Sequence, residues 1–201
     1  MAKKEMRIIE KIEDVIKTPE KFFNSVKSEK SIKPAFIFDA VITAVYVAAS
    51  YIISLAVGGP LLSGAASGVT GVVINWAFDI LFTFVFAGYF HLFIRLLGGK
   101  GKYLDTYKVY AYASAVFLPL LAVMALLGLG TAGIVIGVLI GIAICIWGLY
   151  VYLKGLSVLH KMSMLRAFGA LCVASIVAAV ILFVLFIIFL LPIVMSSIAA
   201  A

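Results

Sequence analysis

Residues 69–121 read VTGVVINWAFDILFTFVFAGYFHLFIRLLGGKGKYLDTYKVYAYASAVFLPLL. The stretch holds two long apolar runs on either side of a short basic hinge, GGKGKYLDTYK, at 98–108. A helix needs about 20 predominantly apolar residues to cross roughly 30 Å of hydrocarbon. The runs at 72–95 and 110–128 meet that length, and three more follow the same pattern at 36–57, 132–153 and 167–191. The intervening segments are short and rich in Gly, Pro and Ser, which favours turns. The pattern predicts an all-α integral membrane bundle of five transmembrane helices, organised as a cytoplasmic amphipathic segment, 1–34, and a transmembrane domain, 35–201.

Composition supports this reading. The chain is 65% hydrophobic and 12% charged, whereas soluble domains are nearer one quarter charged. A mean hydropathy of +1.24 leaves too little polar surface to cover a water-soluble core, so the bilayer is the expected solvent. The net charge of +7 does not imply nucleic acid, because no folded domain presents a basic face for it. The basic residues lie instead in the N-terminal segment, in the second loop (Arg95, Lys100, Lys102, Lys108) and in the fourth (Lys154, Lys161, Arg166). The first loop, third loop and C-terminal tail lack charge. The positive-inside rule then places the N-terminus in the cytoplasm and, with five spans, the C-terminus outside. Anionic lipid is the expected partner of the cytoplasmic face.

The first 33 residues contain no apolar core of a secretory signal, so the first span is expected to act as an uncleaved anchor. Within 3–17, Met6, Ile8, Ile9, Ile12, Val15 and Ile16 recur at helical spacing among charges. Such a helix suits a membrane surface; the alternative is a helix packed on the cytoplasmic end of the bundle. Phe22 and Phe23 follow Pro19 and could anchor in the interface. Cys145 and Cys172 both fall in apolar runs and read as small packing residues rather than a disulfide.

Asp79 reads as the acid embedded within an apolar run. Asn75 and Thr83 lie one turn to either side, forming a polar stripe on one helix face. An intramembrane carboxylate is a functional candidate by default; here it either clasps a neighbouring helix or serves transport of a small solute, ion or lipid. Counted from Arg95, it stands about 24 Å up the helix, in the outer part of the membrane. His91 lies off the stripe, and His160 is assigned to the basic cytoplasmic surface. Tyr103, Tyr107, Tyr110 and Ser114 form a polar-aromatic face that serves as an interfacial belt or lines a vestibule. Pro119 is expected to kink the third span. Gly133, Gly137 and Gly141 make overlapping GxxxG motifs for close helix approach, within the chain or between copies. No catalytic motif, metal-ligand set or cofactor loop emerges, so no enzyme activity, metal or cofactor is expected.

Three elements together resemble the Yip family, five-span membrane proteins named for interaction with Rab-type GTPases. These are Pro19-x-x-Phe22-Phe23; Gly98-Gly99-Lys100-Gly101-x-Tyr103-x-x-Thr106 leading into Tyr110-Ala111-Tyr112-Ala113 and Leu118-Pro119-Leu120; and Gly155-Leu156-x-x-Leu159-His160-x-Met162-Ser163-x-x-x-Ala167. Lys33-Pro34-Ala35-Phe36 stands where eukaryotic members carry D-L-Y-G-P, and the cytoplasmic segment is short. Both features resemble the prokaryotic branch, which implies a prokaryotic cell membrane. The resemblance implies a non-enzymatic protein that organises membrane or recruits a protein partner or a second copy of itself.

Overall fold

The computed structural model describes residues 7–57 and 68–190, and those residues form helices joined by turns. Met6, the first loop and the C-terminal tail lie outside the described residues. Two short helices, α1 (Ile8–Lys17) and α2 (Pro19–Val26), precede α3 (Lys33–Val57) and α4 (Gly68–Leu96). Then come α5 (Tyr103–Ala113), a 3-10 turn (Ser114–Phe117), α6 (Leu120–Leu127), α7 (Gly130–His160) and α8 (Met164–Leu185), which runs into a π turn, Phe186–Leu190. Among the described residues four helices are long and apolar enough to cross a membrane, and the bent pair around Pro119 makes a fifth when it is counted as one span. The protein is a multi-pass membrane protein.

Local chemistry sets the boundaries. Pro19 begins α2, where its missing N–H is not needed. Gly98, at φ +91°, closes α4, and the Gly99 N–H returns to the Ile94 carbonyl at 2.8 Å. Ser163 caps α8, its side chain accepting the Arg166 N–H. The third span is not the single helix expected from 110. It starts at Tyr103, tightens into the 3-10 turn, breaks beside Pro119 and bends by 42°. The Ala115 carbonyl, four residues before Pro119, accepts the Leu118 N–H instead, so the break leaves that acceptor satisfied.

Burial divides the molecule into two parts. In α7, the residues between Ile134 and Trp147 are largely exposed apart from the glycines, whereas Val151, Leu153, Leu156, Leu159 and His160 are buried. At 31 residues, α7 is roughly 46 Å long at 1.5 Å per residue, more than the hydrocarbon requires. Its first half presents apolar side chains outward, as lipid demands, and its last turns enter a packed head. That head also contains Val15, Phe22, Phe23 and Val26 from α1 and α2, with Phe38, Ile94, Tyr107 and Tyr112. The amphipathic N-terminal segment therefore buries its apolar face against the bundle. Phe22 meets the Tyr112 ring edge-on at 5.0 Å. Cys145 is exposed rather than packed, Cys172 is half-buried, and both are free thiols.

Candidate functional site

The hub of the head is α5, buried along Thr106–Val109 and Ala111–Ala113. Its polar side chains reach in three directions. The first joins α4 to α7: Thr106 Oγ1 lies 2.7 Å from His91 Nδ1 and 3.0 Å from His160 Nε2. One hydroxyl proton cannot serve both rings, so Thr106 donates to one and accepts from the other. His160 Nδ1 is buried without a partner. Orphaned N–H donors are rarer than orphaned acceptors, which favours a proton on His160 Nε2 and Thr106 donating to His91. The hinge closes this side. Lys100 N–H donates to the His160 carbonyl at 2.9 Å, and a Cβ on Gly101 would stand 2.7 Å from His160 Nδ1. The spacing of Gly99 and Gly101 thus lets backbone lie against an imidazole.

His160 is the clearest departure from the sequence reading. It was assigned to the basic loop surface, yet it is the fully buried last residue of α7. The signal was present: Leu153, Leu156 and Leu159 continue the helical apolar spacing through the supposed loop. Lys108 is a second departure. Counted among loop charges, it is fully buried; its Nζ donates to the carbonyls of Val26, at 3.1 Å, and of Glu29. This is the second direction, toward the N-terminal segment. There Tyr112 Oη donates to Glu29 Oε2 at 2.9 Å, and Lys11 Nζ approaches Tyr112 Oη at 3.2 Å and Glu29 Oε1 at 3.5 Å. A lysine buried this way needs charge-bearing or carbonyl partners, and both have them.

The third direction runs into the membrane half. Tyr107 stacks on Phe84 at 4.4 Å and donates to Asp39 Oδ2 at 3.3 Å. Asp39 is also embedded in an apolar run, so Asp79 is not alone as the sequence reading had it. Asp39 is only 1% exposed, and its Oδ1 has no partner. Thr83 and Asp79 are among the polar groups that act on it.

Asp79 itself is exposed along one side, as is Asn75, while Thr83 is half-buried with its hydroxyl bonded back to the Asp79 carbonyl at 3.0 Å. The depth expected for Asp79 changes as well. Trp76 Nε1–H donates to the Ala40 carbonyl at 2.9 Å, and Phe36 packs near Phe84. This antiparallel register sets Asp79 level with Asp39, six residues or about 9 Å from Lys33 at the start of α3. Counting from Arg95 misled because α4 runs on past the start of α3 into the head.

The remaining candidates fall at helix contacts. Tyr103 Oη donates to the Phe84 carbonyl at 3.0 Å, Tyr110 packs against Tyr152 at 4.7 Å, and Ser114 bonds back to the Ala111 carbonyl. Gly133 and Gly137 turn toward α6: a Cβ on Gly133 would stand 2.0 Å from the Leu126 carbonyl oxygen, and one on Gly137 3.3 Å from Leu127. Gly141 is looser, 3.8 Å from Val123. Among the described residues, no three His, Cys, Asp or Glu side chains converge on a metal position.

Comparison with known proteins finds no match among curated proteins or solved structures. The family model described as the Yip1 domain matches residues 14–188, from within α1 to the π turn after α8. That span takes in the head, the hinge and all the candidate spans, and the chain belongs to the Yip1 domain family of membrane proteins.

Proposed function

We propose that this protein is a non-enzymatic membrane component of a prokaryotic cell membrane that recruits anionic partners to a basic cytoplasmic face. The observation that carries the reading is where the exposed charge lies. Lys21, Lys27, Lys30, Lys33, Arg95, Lys100, Lys102, Lys161 and Arg166 are all exposed, and all lie at or beside the end where α1, α2, the hinge and the α7–α8 turn meet. The polar interior supports it too, because Thr106, Lys108 and Tyr112 hold helices to one another. A concentrated basic surface beside a bilayer attracts anionic headgroups and acidic protein segments.

The test is crosslinking in native membranes, comparing the wild type with a variant carrying Lys21→Glu, Lys100→Glu and Lys102→Glu. These side chains are exposed, so the fold should persist. The expected result is a set of cytoplasmic proteins and anionic lipids captured by the wild type and lost from the variant. An identical set from both would refute the reading.

A further inference from the structure

The geometry points to a binding site for a small monovalent cation, H⁺ or Na⁺, between α3, α4 and α5, built on Asp39 with Asp79, Thr83 and Tyr107. The site does not depend on the basic face, and the recruitment reading can stand or fall without it.

Asp39 is the anchor. Its two oxygens differ: Oδ2 accepts from Tyr107, whereas Oδ1 is buried without a hydrogen bond, the Thr83 hydroxyl being the other neutral donor near the carboxylate. The hydroxyls of Tyr107 and Thr83 are its polar neighbours, and neither supplies the positive charge that a buried carboxylate calls for. Burying an ionised carboxylate unpaired is among the costliest arrangements a protein can hold. The buried Lys11 and Lys108 are engaged with Glu29, Tyr112 and the Val26 carbonyl, so they do not answer the charge of Asp39. A second acid, Asp79, faces the same region from α4 and raises the demand for positive charge.

The donor set indicates which cation. Carboxylate and hydroxyl oxygens suit hard ions, and no His or Cys completes a transition-metal set among the described residues. The side chains gathered here offer fewer oxygens than the about six to eight that calcium takes, and the enclosure of Asp39 leaves little room for the waters that magnesium keeps, so a small monovalent cation fits better. Asp79 is the less enclosed of the two acids, and Asp39 the buried one. The titratable groups facing the site are Tyr107 from α5, Asp79 from α4, and Tyr46 of α3, which lies within reach of Asp79. None of them carries a positive charge.

The experiment uses the full chain in nanodiscs of zwitterionic lipid, which removes headgroup effects on cation concentration. Thermal unfolding is followed by the fluorescence of Trp76 and Trp147, in Na⁺, K⁺ or choline at constant ionic strength, at acid and alkaline pH. Wild type, Asp39→Asn and Asp79→Asn are compared. If Na⁺ is the occupant, the wild-type Tm rises saturably with Na⁺ at alkaline pH but not with choline. Asp79→Asn should then weaken the apparent affinity at least about tenfold, as loss of a supporting ligand does, and Asp39→Asn should abolish the effect. If H⁺ is the occupant, Tm rises with acidification in choline alone, and Asp39→Asn removes that rise. Should Asp39→Asn fail to fold, Asp79→Asn with Tyr107→Phe provides the same comparison. A wild-type Tm indifferent to both cation and pH, or a dependence that survives in the carboxamide variants, overturns the site.

Discussion

Thr106 is a small residue with a large structural task, since a single hydroxyl joins His91 of α4 to His160 of α7. Thr106→Val keeps the shape and removes the bridge, leaving two ring nitrogens without their partner. A buried group so orphaned costs about 1–3 kcal/mol, and Tm should fall accordingly; Thr106→Ser, which keeps the hydroxyl, should remain near the wild type. A valine variant as stable as the serine one would mean that water or a shifted ring replaces the bond. The sequence offered Thr106 only as a letter in a motif, because a threonine on a helix does not announce its partners. His160 and Lys108 were hidden differently. Their polarity suggested loops, and only the apolar spacing around them could have marked a helix carrying a buried polar group. Asp39 was legible in principle, as it stands inside FIFDAVITAV. What no pattern could supply was that α5 would place Tyr107 against it.

Between helices, the glycines of α7 make a graded series. Gly133 meets backbone at a distance no Cβ tolerates, whereas Gly141 has room at 3.8 Å. Gly133→Ala must shift the α6–α7 turn, and overpacking of this kind costs typically about 1–3 kcal/mol. Gly141→Ala should be close to neutral. Both would be read by thermal unfolding, together with the mass of the detergent-solubilised particle. If the motif joined two copies instead, both substitutions would change that mass, and the contrast in stability would vanish. Apolar length made the long helices α3, α4, α7 and α8 legible in the sequence, because no other chemistry tolerates such runs. The broken third span was less legible: Pro119 marks a break, but the buried 3-10 turn of Ala115 and Val116 before it leaves no separate mark in the apolar spacing. The ends of α4 and α7 were obscured because each continues past the hydrocarbon into the head, where the composition already looks like loop.

At the scale of the described residues, the molecule is a packed head fused to a looser, apolar half, and the N-terminal helices belong to the head. Phe23 is fully buried, with its ring where a Cβ on Gly155 would sit 2.8 Å away. Phe23→Ala should therefore cost about 3–5 kcal/mol, the usual range for emptying a buried aromatic site, and should expose α1 and α2 to limited proteolysis before the spans unfold. Orientation follows from the same division. The head gathers the exposed basic residues at one end, and positive charge is retained on the cytoplasmic side during insertion. An odd number of crossings, with the bent α5–α6 pair counted as one, would carry the chain's end to the opposite side. A reporter active only outside the cytoplasm, fused after Ala201, should therefore be active, while the same reporter inserted after Lys161 should be silent. If the bent pair were a re-entrant loop, four crossings would remain, the C-terminal fusion would fall silent and the one after Lys161 would become active. The pair of fusions thus decides between five spans and four, and with them whether Pro119 lies in a crossing helix or at a turning point.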